Sequence, residues 1–225
     1  MSSPVLINAA IPSSRPYQVY FFAKNKYVRL YYTPGDTGDE IMTPLQLVSS
    51  GFSSLAGTAF AEDGIDCSFD TEGSKAYIFS SDICAYIDYA PHSSKDKILV
   101  GPTTIAQMFP TLRNTVFAEG IDAAFRSTKG KEVYLFKGID YCRIAYDSKE
   151  LVGSIGNITD GFPHLKGTIF ESGIDASFGS VKKGFAYLFK EDKYTLLRES
   201  DGTFNQVRDI LAGWPCLRGV FPVTE

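Results

Sequence analysis

Ile121-Asp122-Ala123-Ala124-Phe125, followed by Val133-Tyr134-Leu135-Phe136, is the phrase whose recurrence decides the fold. It returns as Ile65-Asp66-Cys67-Ser68-Phe69 with Ala76-Tyr77-Ile78-Phe79, and as Ile174-Asp175-Ala176-Ser177-Phe178 with Ala186-Tyr187-Leu188-Phe189. A weaker copy, Ile7-Asn8-Ala9-Ala10-Ile11, leads to Val19-Tyr20-Phe21-Phe22. The opening isoleucines at 7, 65, 121 and 174 lie 58, 56 and 53 residues apart. A fixed period of this length belongs to repeat architectures.

Each copy reads as three strands, a polar turn and a helix. In the third, residues 121–125 and 131–137 form strands rich in β-formers, Gly138-Ile139-Asp140 turns the chain, and 141–146 form the next strand. A short fourth strand is expected near Leu151-Val152. Helices are expected at 44–50, 103–108 and 204–212, with proline closing the helical segment at Phe162-Pro163. Leu55, Leu112, Leu165 and Leu217 recur in register, as do Phe60, Phe117, Phe170 and Phe221. They read as core contacts that hold each helix on its own sheet. Tandem units of three or four strands suit radial blades around a channel, an all-β, four-bladed β-propeller with a short helix at the outer end of each blade. One domain, 1–225, then holds blades at about 6–60, 61–117, 118–170 and 171–225.

Composition narrows the chemistry. The net charge of −4 disfavours a broad nucleic-acid surface and suits cations. No window approaches the ~20 apolar residues of a membrane span. Residues 1–6 carry neither a basic segment nor a signal-like apolar run, so the expected location is the cytosol. Cys67, Cys84, Cys142 and Cys216 have no CxxC spacing and read as reduced, small apolar residues. No GxSxG, HExxH, phosphate loop or CxxC pair appears, and the two histidines, His92 and His164, lie in different connectors. The chain does not read as an enzyme.

The innermost strand of a propeller blade has no strand beyond it, so its free C=O and N–H groups face the channel. A ring of carbonyls suits Ca²⁺ or Na⁺, and a ring of amides an anion such as chloride. The side chains of Asp66, Asp122 and Asp175 would deepen a cation well, or else only fix the turn into each inner strand. Glu62, Asp63, Glu119 and Glu171 precede the inner strands as a second acidic layer or as ordinary surface acids.

The phrase Ile-Asp-Ala-Ala-Phe, with Phe136-Lys137-Gly138, Tyr141 and Arg143, strongly resembles hemopexin-type repeats, which form a four-bladed propeller. An isolated ring without an attached enzyme is similar to the albumin-2 class of legume seed proteins, as are Asp88 to Ser93 and Arg126 to Val133. The resemblance assigns the upper carbonyl ring to Asn8, Asp66, Asp122 and Asp175 through their main chains, and the next level to Ala10, Ser68, Ala124 and Ser177. It implies binding of spermine or another polyamine, binding of haem, a homodimer and a seed-cytosolic, nutrient-reserve protein. The acidic composition independently suits a polyamine, at Asp66, Asp122, Asp175, Glu119 and Glu171. His92 or His164 would be the axial haem ligand, or else each is only a surface residue of its connector. A lectin-like or protein-interaction module using exposed blade faces is the alternative. Animal members of the hemopexin family close their ring with a disulfide; no cysteine precedes the first blade here, so closure must rest on packing and strand pairing.

Overall fold

The computed structural model describes residues 4–223. Four antiparallel sheets follow one another along the chain, each built from consecutive strands. Blade 1 holds β1 (Ala9–Pro12), β2 (Gln18–Ala23), β3 (Lys26–Tyr31) and β4 (Glu40–Leu47). Blade 2 holds β5 (Cys67–Asp70), β6 (Lys75–Ser80), β7 (Ile83–Asp88) and β8 (Lys97–Thr104). Blade 3 holds β9 (Ala123–Arg126), β10 (Glu132–Lys137) and β11 (Asp140–Ala145), with an outer strand broken into β12 (Glu150–Leu151) and β13 (Gly156–Asn157). Blade 4 holds β14 (Ala176–Gly179), β15 (Phe185–Lys190), β16 (Lys193–Arg198) and β17 (Arg208–Asp209). The inner strands β1, β5, β9 and β14 each contact the next around the ring. The fold is a four-bladed propeller.

Its continuous apolar strands have a simple cause: each blade is covered on both faces, and successive side chains serve opposite neighbours. Along β2, Val19 and Phe21 pack toward blade 4, while Tyr20 and Phe22 pack toward blade 2. The core is therefore four separate clusters, one in each gap between blades. This corrects the role expected for the recurring Leu and Phe residues. Leu55 and Phe60 share a cluster with β2 of blade 1 and β6 of blade 2, so they fill the space between sheets instead of pinning a helix to one. The other three pairs do the same.

The helices are shorter than expected. They are single turns, α1 (Val48–Gly51), α3 (Ile105–Met108), α4 (Ile158–Gly161) and α5 (Ile210–Gly213), with α2 (Ala59–Glu62) leading into blade 2. Residues 44–47 and 103–104 belong to outer strands, and Phe204 pairs singly with Leu197. Register shifts opposite Arg29 and Tyr86 break the alternation by which those strands would be recognised. Proline is tolerated there because an outermost strand has a free edge. Pro110, Pro163 and Pro215 open the following 3-10 turn, a position that needs no N–H.

A volume exchange links each third strand to its helix. Tyr27, Tyr141 and Tyr194 each lie over a helix glycine, Gly51, Gly161 and Gly213. A Cβ on Gly51 would fall 1.9 Å from the Tyr27 hydroxyl. Blade 2 has the opposite pairing, Cys84 with Met108, both buried.

Ring closure is only half as expected. Blades 4 and 1 share no sheet; packed side chains join them, with a backbone bond from Leu6 N to the Glu191 carbonyl at 3.4 Å. Phe21 lies edge-on to Phe189 at 5.4 Å and to Trp214 at 5.1 Å. Two tyrosine hydroxyls bridge the seam as acceptors: Tyr32 Oη accepts from Val181 N at 3.2 Å, and Tyr187 Oη accepts from Gly35 N at 3.2 Å. All four cysteines are free, and Cys67, Cys84 and Cys142 are buried together in the gap between blades 2 and 3. Burial pushes the Cys84 and Cys142 thiols up to about 12. Among the described residues, no helix is long and apolar enough to cross a membrane.

Candidate functional site: the two mouths of the channel

Asn8, Asp66, Asp122 and Asp175 come together at one mouth, around an open cavity of about 370 Å³ that Glu119 also lines. Each sits immediately before its inner strand. Their N–H groups donate to Phe22, Phe79, Phe136 and Phe189 carbonyls at 2.8–2.9 Å. The amides of this level are thereby used, which removes them as an anion ring and leaves oxygen as the available donor type.

The side chains have structural work of their own. Asn8 Oδ1 accepts from Lys24 N at 2.9 Å, Asp66 Oδ2 from Ser81 N at 2.7 Å, Asp122 Oδ2 from Gly138 N at 2.7 Å and Asp175 Oδ2 from Glu191 N at 2.6 Å. The four donors are the hairpin residues between second and third strands, all at positive φ. The carboxylates thus hold the hairpin of their own blade, not the turn into the inner strand. Gly64, directly before Ile65-Asp66, passes beneath the preceding blade's hairpin, where a Cβ would lie 2.4 Å from the Lys24 carbonyl oxygen. The repeated Gly-Ile-Asp at 64, 120 and 173 carries this signal in the sequence.

One cation already occupies the mouth. Lys137, read from the sequence as the last residue of a strand, donates from Nζ to Asp122 Oδ1 at 2.7 Å. Asp175 is shifted upward, chiefly by burial, with its bond from Glu191 N opposing. Glu171 is drawn away: its carboxylate accepts from Gly167 N at 2.6 Å, within its own connector, and it does not line the mouth. Glu62 and Asp63 are exposed and likewise outside the lining.

Below the mouth, Ala10, Ser68, Ala124 and Ser177 are all buried on the inner strands. The hydroxyls of Ser68 and Ser177, on opposite blades, have no hydrogen-bond partner among the described residues. A buried hydroxyl without a partner costs about 1–3 kcal/mol, so this level calls for an ion or water between the strands. Among the described residues no group of three or more His, Cys, Asp and Glu side chains could hold a metal ion. A channel cation would take main-chain and hydroxyl oxygens together with no more than two such side chains.

At the opposite mouth the inner strands end in Pro12, Asp70, Arg126 and Gly179, which line a second open cavity. Arg126 donates to Thr71 O at 3.0 Å and to Glu72 at 3.1 Å, and stands 3.8 Å from Asp70. Burial pushes the Asp70 carboxyl up to about 6 against the pull of Arg126. An acid with a raised folded pKa binds more protons folded than unfolded between the two values. Stability therefore falls as pH rises from about 4 to about 6 and stays reduced above that. Asp70→Asn should raise the unfolding free energy by on the order of 1–2 kcal/mol near pH 7.5 and by nothing near pH 3.5. Urea midpoints at the two pH values check this, and an equal gain at both would exclude the titration as its cause.

The histidines stay apart. His92 is exposed in the groove between blades 1 and 2, with Nε2 3.1 Å from Gln18 Oε1, and burial followed by Arg29 and Arg15 lowers its pKa. His164 is exposed in the turn Pro163–Leu165.

Four consecutive-strand blades around a channel with a ring of Asn and Asp at its mouth define the hemopexin-type propeller. No protein-family model matches the chain. Albumin-2 of Lathyrus sativus is 48% identical over 99% of this chain and 100% of its own length. The hemopexin fold protein CP4 from cow pea superposes with a TM-score of 0.95 at 65% identity, covering 98% of this chain and 100% of that one. Two proteins of Cicer arietinum, each covering 97% of this chain and 99% of its own, are also similar. One is a plant albumin showing hemagglutination, at 51% identity and a TM-score of 0.94. The other is a plant lectin with two metal binding sites, at 53% identity and 0.93. The chain belongs to the albumin-2 family of legume seed albumins.

Proposed function

We propose that this seed albumin is a small-ligand-binding protein of the seed cytosol, with a hard cation in its channel and a polyamine such as spermine across the acidic mouth. The observation that carries the reading is the convergence of Asn8, Asp66, Asp122, Asp175 and Glu119 on one opening. Its amides are already bonded, so oxygen donors and negative potential remain for a cation. Ca²⁺ and Na⁺ both suit such a ring; the Ser68 and Ser177 hydroxyls support an occupant lower down. Lys137 neutralises part of the mouth, so a polyamine must compete with it for Asp122.

Haem is a further ligand of this reading, with His92 or His164 as its iron ligand. A homodimer is proposed with it, to be read from sedimentation.

Calorimetry with spermine at low salt tests the mouth. Exposed ion pairs contribute only ~0.2–1 kcal/mol each, so Asp122→Asn with Glu119→Gln should weaken binding about five- to tenfold. Excess calcium and added salt should weaken it too. Unchanged affinity in the double variant would place spermine elsewhere.

A lectin-like role is the second reading, favoured by the hemagglutinating and lectin relatives from Cicer arietinum. Agglutination needs at least two sites on one particle, which a dimer would supply. Sugar-inhibited agglutination without spermine affinity would support it over the first.

A further inference from the structure

Each gap between blades holds a tyrosine of the second strand, Tyr20, Tyr77, Tyr134 or Tyr187, and at Tyr20, Tyr134 and Tyr187 it opens in a groove. Over three of these rings lies a cation of the chain itself. The guanidinium carbons of Arg29 and Arg143 are 5.9 and 5.8 Å from the centres of Tyr20 and Tyr134. Tyr77 instead takes Lys149 from the neighbouring blade. Its ammonium is 4.8 Å from the Tyr77 centre and 4.5 Å from that of Phe109, and it donates to the Tyr77 hydroxyl at 2.9 Å. Among the described residues no cation lies over Tyr187, whose cross-strand partner is Leu196 where Tyr20 and Tyr134 have Arg29 and Arg143.

The turn explains the vacancy of charge. Lys149 follows Tyr146 by three residues, at φ 66°. The same step from Tyr32 reaches Gly35, at φ 82°, whose N–H donates to the Tyr187 hydroxyl. Gly35 has no side chain to offer, and a Cβ there would meet nothing within 4 Å. The groove also has Trp214 where its sisters have Phe52, Phe109 and Phe162, and indole is the best cation-binding face. Asp36 and Asp39 line it, with the exposed Arg208 also in the lining. Asp39 Oδ2 accepts from Cys216 N at 3.0 Å, while its Oδ1 is buried without a hydrogen-bond partner. The Cys216 thiol lies beside the same carboxylate, shifted upward by burial first and by Asp39 second.

We propose that the groove between blades 4 and 1 binds a primary alkylammonium group, for which Lys149 in the sister gap is the chain's own tethered equivalent. The ammonium rests on Tyr187 and Trp214 and is neutralised by Asp39. A free amine and a lysine side chain of a partner share this chemistry. The site shares no lining residue with the acidic mouth and does not rest on the polyamine reading there.

Trp214 is the chain's single tryptophan, so fluorescence reports the groove directly. The full chain is titrated with n-butylammonium chloride, against 1-butanol and sodium chloride at equal concentration. A saturable change is expected with butylammonium alone. Gly35→Lys, which puts an ammonium-bearing side chain where Lys149 stands in the sister gap, should abolish it. Asp39→Asn should weaken it at least fivefold, and Asp122→Asn with Glu119→Gln should leave it within twofold. Lys149→Gly should add a second bound equivalent by calorimetry. A capped lysine peptide separates the sources: response to it as well as to the amine assigns a docking lysine, and response to the amine alone assigns a small molecule. A response equal to that of butanol, response to neither probe, or a Gly35→Lys variant that binds like the parent would overturn the proposal.

Discussion

Replacing Phe21 by alanine is expected to lower the unfolding free energy by about 3–5 kcal/mol, the range for a fully buried aromatic. Phe21 is 0% exposed and touches Phe178, Phe189 and Trp214 across the gap between the first and last blades. That gap has no shared sheet and no disulfide, so its closure rests on such packing and on the few hydrogen bonds across it. The loss should fall on the joint that makes the ring a ring, so protease sensitivity in the folded baseline should rise with the fall in stability. Denaturant midpoints with matched slopes measure the first effect. A loss under about 1 kcal/mol would mean that the gap repacks around the missing ring, and that closure is more plastic than its contacts suggest.

The second large effect concerns the exchange of volume between third strand and helix. Gly51→Met should destabilise by about 3 kcal/mol, the upper end for overpacking, because the new side chain must occupy the space of the Tyr27 ring. Tyr27→Cys alone should cost a comparable amount by leaving a cavity and by removing the hydroxyl that accepts from Gln46 Nε2. Together they recreate in blade 1 the Cys84–Met108 pairing of blade 2. The double variant should therefore be more stable than either single one, with a coupling of about 2 kcal/mol or more. Additive losses would show that blade 2 owes its arrangement to other neighbours.

The inner strands and the ring at the mouth were legible because Ile-(Asp/Asn) recurs at a constant distance from the second strand, and geometry forces equivalent residues of a propeller to one radius. Asn8, Asp66, Asp122, Asp175 and Glu119 accordingly meet, whereas Glu171 turns back to Gly167. What sequence reading missed was local competition for these carboxylates. The left-handed residues Lys24, Ser81, Gly138 and Glu191 needed an acceptor, and Lys137 a counter-ion. The helix bounds failed for another reason: register shifts in the outer strands disrupt their alternation, and their exposed, Pro-containing segments resemble a helix approach. The equivalence of Gly35, His92, Lys149 and Gly202 was hidden because their connectors carry no common phrase. It becomes visible only by counting from the residue that follows each third strand, Tyr32, Tyr89, Tyr146 and Glu199.

Because every blade consists of consecutive strands, no blade depends on where the chain begins. Leu6 and Val223 are buried in the same cluster, so both ends of the described chain return to one gap between blades. The molecule is thus a cyclic order of four units with an arbitrary starting point. A chain opened at another connector, with its present ends joined, would carry the same four gaps and the same two mouths, and only the location of the one gap without a covalent crossing would move.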